Sequence, residues 1–265
     1  MIKRSLKYVW SPQRRNRREV DVYLPSSYES GIRYPVVYMM DGQNLSDPAA
    51  AFAGTWDLEA TIDRLAWRGI EAIYVGVHHA GRHRLDEYSP FPDVRHGGGA
   101  ADDYLAFLVR TVKPRIDRMF HTRRDREATT ILGSSMGGLV SLYAFFRYPS
   151  VFGRAGVLSP SIWFGQGAIL DFIRGARAPQ GRLYLDVGTA EGAGTLRDVR
   201  RLGRLLVRKG FRRQRGPGAA SARSGSAERR AALAATLRYV EDVGARHTEA
   251  AWASRLDGAL AFLLE

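Results

Sequence analysis

The stretch TTILGSSMGGLVSLY, residues 129–143, decides how this chain is read. Thr130, Ile131 and Leu132 make a short apolar run of strand character. GSSMG at 133–137 is a tight turn, and an apolar helical pattern follows it. The turn fits G-x-S-x-G with Ser135 at its centre. A serine nucleophile at the top of a sheet sits on such a strained strand-to-helix turn. Side chains two residues before and two after it would collide with neighbouring backbone, so those places call for glycine. The amide of Met136 would then face a developing oxyanion, with a helix N-terminus behind it. Glycine and serine are also ordinary turn formers. What favours the nucleophile is the setting between a strand and a helix.

Outward from this turn the chain alternates strands with helices. Residues 19–25 alternate and stop at Pro25, as a strand does. PVVYMM at 35–40 and AIYVGV at 72–77 are continuous apolar runs of strand length, expected in the buried middle of a sheet. Further strands are expected at 154–158, 182–187 and 237–241. Helical spacing occurs over 56–67, 102–119, 169–173, 196–209 and 250–264. Such alternation predicts an α/β fold, a mostly parallel central sheet with helices on both faces. Residues 78–99 read as a long loop, of the kind that is usually functional. Residues 212–235 are dominated by Arg, Gly, Ala and Ser and read as a flexible insertion. At 265 residues one domain spanning 1–265 is expected, with no second substantial one.

A serine hydroxyl needs a general base, and the base needs an orienting acid. With a nucleophile elbow the chain order is serine, acid, histidine. Of six histidines only His247 follows Ser135, in a loop between the last strand and the last helix. The carboxylates between them are Asp171, Asp186, Glu191, Asp198, Glu228, Glu241 and Asp242. Glu191 stands just past the end of the strand at 182–187, where an acid on the elbow's edge belongs. Asp186 lies within that strand, and Glu228 falls in the insertion. Glu241 and Asp242 are the rivals. The turn DGQN at 41–44 offers the Gln43 amide as a second oxyanion donor beside Met136, although Asp-Gly is also a plain turn signal. Trp56 and Trp163 are the candidate substrate contacts, with core packing as the alternative for each.

Composition narrows the rest. The chain has no cysteine, which removes disulfides, thiolate catalysis and zinc-thiolate sites and suits a cytoplasmic location. No apolar run reaches the ~18 residues of a membrane span. The opening MIKRSLKYVW lacks the apolar core of a secretory leader. Net charge is +13, concentrated in residues 3–18 and 200–215. With little aromatic interleaving, these blocks read as solvated surface, and a nucleic-acid partner is not expected.

Together these residues resemble an esterase family of α/β-hydrolases that includes feruloyl esterases, enterochelin esterases, S-formylglutathione hydrolases and mycolyltransferases. The resemblance rests on the entry strand ending YLP, DGQN at 41–44, EYSP at 87–90 and the elbow at 133–138. It continues through LSPSIW at 158–163, DVGTAE at 186–191 and His247 ahead of EAAW at 249–252. It implies an α/β-hydrolase fold with Ser135 as nucleophile, Glu191 as acid and His247 as base. Gln43 and Met136 amides would form the oxyanion hole, without metal or organic cofactor. The acid is Glu where many relatives carry Asp. The expected activity is serine-dependent hydrolysis of a small-molecule carboxylic ester. Acyl transfer with the same residues is the alternative within enzymes, and a non-catalytic basic binding module the alternative outside them.

Overall fold

The computed structural model describes residues 1–29, 31–49, 51, 54–214 and 235–265. Among these residues a nine-stranded sheet runs through the chain. Its strands are β1 (Ile2–Ser11), β2 (Asn16–Leu24), β3 (Val36–Met40), β4 (Ile73–Val77), β7 (Thr129–Ser134), β8 (Arg154–Leu158), β9 (Arg182–Gly188), β10 (Arg212–Arg213) and β11 (Thr236–Asp242). A separate pair, β5 (Pro92–Asp93) and β6 (Gly97–Gly98), forms a small ribbon. The order in the main sheet is β1-β2-β4-β3-β7-β8-β9-β11-β10. β1 and β2 pair antiparallel, β2 meets β4 antiparallel, and every pairing beyond that is parallel.

The helices are α1 (Leu58–Ala66), α2 (Arg84–Tyr88), α3 (Ala101–Phe107), α4 (Lys113–Met119), α5 (Met136–Arg147), α6 (Ala168–Gly175), α7 (Ala193–Arg208) and α8 (Glu249–Leu264). The period of two in β3 sorts its residues between the two faces. Val36, Tyr38 and Met40 join the cluster that contains α3, α5, α6 and α7 residues. Val37 and Met39 join the opposite cluster, with α1 and α8. Both faces being covered, every residue of β3 and β4 is buried. Each fully buried Val, Leu or Ile contributes roughly 1.5–3 kcal/mol, so these uninterrupted runs hold the centre of the sheet.

Three expectations change. β1 occupies a stretch read only as basic sequence. Most of its residues face solvent, which hides the alternation that marks a strand. The helix expected at 102–119 is α3 and α4 joined by a π-helical turn at Leu108–Val112. The loop at 78–99 is not structureless. It contains a 3₁₀ turn at Gly81–His83, then α2 and the β5–β6 ribbon. Most of the insertion expected at 212–235 lies outside the described residues. Its flanks enter the sheet as β10 and β11.

Candidate active site

All the parallel strands end on one edge, and the candidate residues collect there. Ser135 follows β7 and starts α5 with φ 56° and ψ −120°, a strained conformation for a residue with a side chain. The turn closes only because its flanks lack side chains. A Cβ on Gly133 would lie 2.6 Å from the Gly137 carbonyl carbon. The next strand secures the elbow from outside. Ser135 N–H donates to the Leu158 carbonyl at 3.0 Å, and Ser161 N–H donates to the Ser135 carbonyl at 3.0 Å. The Ser161 hydroxyl stands 3.2 Å from the Ser135 hydroxyl.

His247 Nε2 lies 2.9 Å from Ser135 Oγ, and His247 Nδ1 lies 2.7 Å from Glu191 Oε2. An ionised carboxylate only accepts, so Nδ1 carries the proton and Nε2 is left to accept from the serine hydroxyl. The imidazole is partly exposed and rests edge-on against Trp252, ring centroids 4.9 Å apart. The Glu191 side chain is fully buried. Burial opposes its ionisation. Hydrogen bonds from His247, Ser159 and the Gly188 amide outweigh that and hold its carboxyl below the usual range.

Neither rival carboxylate meets the ring. Glu241 is gripped by Arg200, at 2.9 and 2.6 Å, and by the Tyr239 hydroxyl at 2.6 Å. Asp242 accepts from Arg255 at 3.2 Å. Asp186 is buried beneath the site and accepts from the Ser159 amide at 3.0 Å and Arg255 Nε at 2.9 Å. Glu228 lies outside the described residues.

Gln43 sits in the 3₁₀ turn Gly42–Asn44, at the end of β3 and therefore beside the β7 elbow. Met136 is the first residue of α5. The Gln43 turn is braced by Asp41, which takes φ 54°. Arg84 reaches across from α2 to donate to both Asp41 oxygens, at 2.7 and 2.8 Å. Arg84 is thus committed to the turn. Glu249, two residues past His247, has its carboxyl raised first by burial and then by the Asp41 charge.

The two tryptophans part company. Trp163 is 49% exposed and stands beside His96 and Phe164, on the rim. Trp56 is 2% exposed, in the core cluster of α1 and α8, where its ring meets Trp252 at 6.1 Å. It backs the site from the interior, so substrate contact through Trp56 is dropped in favour of packing. Sequence reasoning assigned no role to Ser159, Trp252 or Arg255. A signal for Arg255 was present: a charged residue on the same helical face as Trp252, Ala259 and Leu263 requires buried partners.

The basic N-terminal block is partly committed to the fold. Lys3 pairs with Asp21 at 3.2 Å, and Arg14 and Arg18 both reach the buried Glu87. Among the described residues no helix is long and apolar enough to cross a membrane, and no group of three or more His, Asp or Glu is placed to hold a metal ion.

The parallel sheet with helices on both faces, and a serine elbow at its carboxyl edge, make this an α/β-hydrolase fold. The solved structure of the BES protein from Bacillus cereus shares it, with a TM-score of 0.75 and 20% identity over 99% of this chain and 95% of that one. A family described as Putative esterase matches residues 11–263, and the chain belongs to that family of carboxylic ester hydrolases. The uncharacterized protein YbbA of Bacillus subtilis is 29% identical over 190 residues, covering 69% of this chain and 72% of that protein. The siderophore enterobactin esterase of Emericella nidulans is 39% identical over 92 residues, 33% of this chain and 29% of that protein.

Proposed function

We propose that this chain hydrolyses a small-molecule carboxylic ester through an acyl-enzyme on Ser135. The observation that carries the reading is the unbroken path from Ser135 Oγ through His247 to Glu191, at 2.9 and 2.7 Å. His247 Nε2 takes the hydroxyl proton as Ser135 Oγ attacks the ester carbonyl. Glu191 holds the ring in the tautomer that leaves Nε2 free and steadies the imidazolium that forms. The negative charge on the tetrahedral oxygen faces the amides of Gln43 and Met136. One such donor is worth about 10²–10³ in kcat. The intermediate collapses, and the alcohol leaves with the proton from His247. Water then attacks the acyl-enzyme by the same route, releasing the acid and restoring Ser135.

Trp163 on the rim offers an apolar surface to the part of the ester outside the reacting carbonyl. The similarity to an esterase named for enterobactin makes that siderophore a natural ester to assay early. The first test is turnover of p-nitrophenyl acetate and butyrate by the parent protein and by Ser135→Ala. The reading expects the variant to fall to near background. Equal rates in both would overturn it.

A further inference from the structure

Ser159 follows β8, between the strand that carries Ser135 and the strand that leads to Glu191. It is fully buried and takes φ 41°, a left-handed conformation that costs a residue with a Cβ. Its amide is fixed by the Asp186 carbonyl at 3.1 Å and by Asp186 Oδ1 at 3.0 Å. Its hydroxyl has three neighbours. Arg255 Nη2 donates to it at 2.9 Å, Trp252 Nε1 donates to it at 3.1 Å, and it donates to Glu191 Oε1 at 2.6 Å.

The direction of these bonds is forced. A guanidinium and an indole N–H are donors only, and a serine hydroxyl has two lone pairs and one proton. Arg255 and Trp252 therefore occupy both lone pairs, and the proton has Glu191 as its acceptor. Oε1 of Glu191 also accepts the Gly188 amide at 2.7 Å. With Oε1 taken up by the protein, Oε2 alone is presented to His247 Nδ1. The Arg255 charge, 3.7 Å from Oε1, favours the same ionised state.

We infer that Ser159 is a positioning residue for ester hydrolysis. Polarised by Arg255 and Trp252, its hydroxyl locks the Glu191 carboxylate in the rotamer that orients His247. The inference rests on the proposed roles of Ser135, His247 and Glu191. A purely structural Ser159 would contribute to stability alone, and the two roles separate experimentally. Ser159→Ala removes the hydroxyl and keeps the backbone strain. Ser159→Gly removes the hydroxyl and relieves the strain. Trp252→Phe removes one donor to the hydroxyl and keeps most of the ring.

These variants are compared with the parent and with Ser135→Ala on p-nitrophenyl acetate, with rates normalised to folded protein. Both Ser159 variants are expected to lose about 10- to 100-fold in kcat, the range for a slightly misplaced catalytic group, with KM within about twofold. Ser159→Gly should melt at or above Ser159→Ala yet be equally slow. Trp252→Phe should show a smaller loss in kcat. The low-field proton resonance of the His247–Glu191 hydrogen bond should shift or broaden in all three. Unchanged kcat in the Ser159 variants, with Ser135→Ala inactive, would overturn the positioning role and leave the esterase reading standing. Full turnover by Ser135→Ala would overturn both.

Discussion

Gly188 and Ala245 approach so closely that a Cβ on Gly188 would lie 2.2 Å from the Ala245 carbonyl oxygen. This contact joins the loop that carries Glu191 to the loop that carries His247. Ala190 N–H donates to the same carbonyl at 3.0 Å, and Thr189 N–H donates to the Asp242 carbonyl at 2.9 Å. Gly188→Ala must therefore push the two loops apart. We expect a loss of about 1–3 kcal/mol in stability from overpacking. We also expect roughly 100-fold lower kcat from the displaced imidazole. Urea titration and steady-state kinetics on p-nitrophenyl acetate check the two effects separately.

Glu191→Gln keeps the shape of the side chain and changes its chemistry. An amide can turn its NH₂ toward Nδ1, which selects the tautomer with the proton on Nε2. That ring cannot accept from Ser135. The expected fall in kcat is about 10⁴, the size seen when a triad acid is made an amide elsewhere. KM should change little. Activity within tenfold of the parent would mean that Glu191 is not the orienting acid.

Arg255 is buried and serves Asp186, Asp242 and Ser159 at once. Arg255→Met leaves Asp186 buried without its counter-charge, which typically costs about 3–5 kcal/mol. Adding Asp186→Asn removes the stranded charge and should recover part of the loss. Melting curves of the two single variants and the double variant test this coupling. Additive effects would mean that the pair does not act as a unit.

Asp21, on β2, predicts how the fold fails in acid. Burial alone would raise its carboxyl. Hydrogen bonds from His78, Ser5 and Lys3 more than offset this and push it down to about 2. A depressed folded value means that the group stabilises the fold above the unfolded value near 3.8, and that this contribution fades as pH falls through about 2. Glu191 acts in the same direction. Asp21→Asn should cost about 1–2 kcal/mol at pH 6 and almost nothing at pH 2. Denaturant titrations of parent and variant from pH 6 to 2 should therefore converge at the acid end.

The fold was legible where burial imposes a pattern. β3, β4 and the elbow are read directly from continuous apolar runs and the glycine spacing, because both sheet faces are covered. β1 was not, since a solvated strand at the sheet's edge places no apolar demand on its sequence. The Ser135–Glu191–His247 alignment followed from chain order and strand ends, both one-dimensional facts. Trp56 misled because an aromatic near a turn carries the same signal whether it faces substrate or core. Ser159 was passed over for a physical reason. Its significance lies in which atoms saturate its lone pairs, and those atoms come from a helix almost a hundred positions away.

The turn at 158–161 holds the elbow through the Leu158 carbonyl and Ser161 amide, and the carboxylate of Glu191 through the Ser159 hydroxyl. Ser135 and Glu191 are thus spaced by one four-residue ruler. His247 stands off that ruler, on an exposed loop after β11. It is held through the paired loops, by its ring's bond to Glu191 and by the Thr189 and Ala190 amides that grip the carbonyls of Asp242 and Ala245.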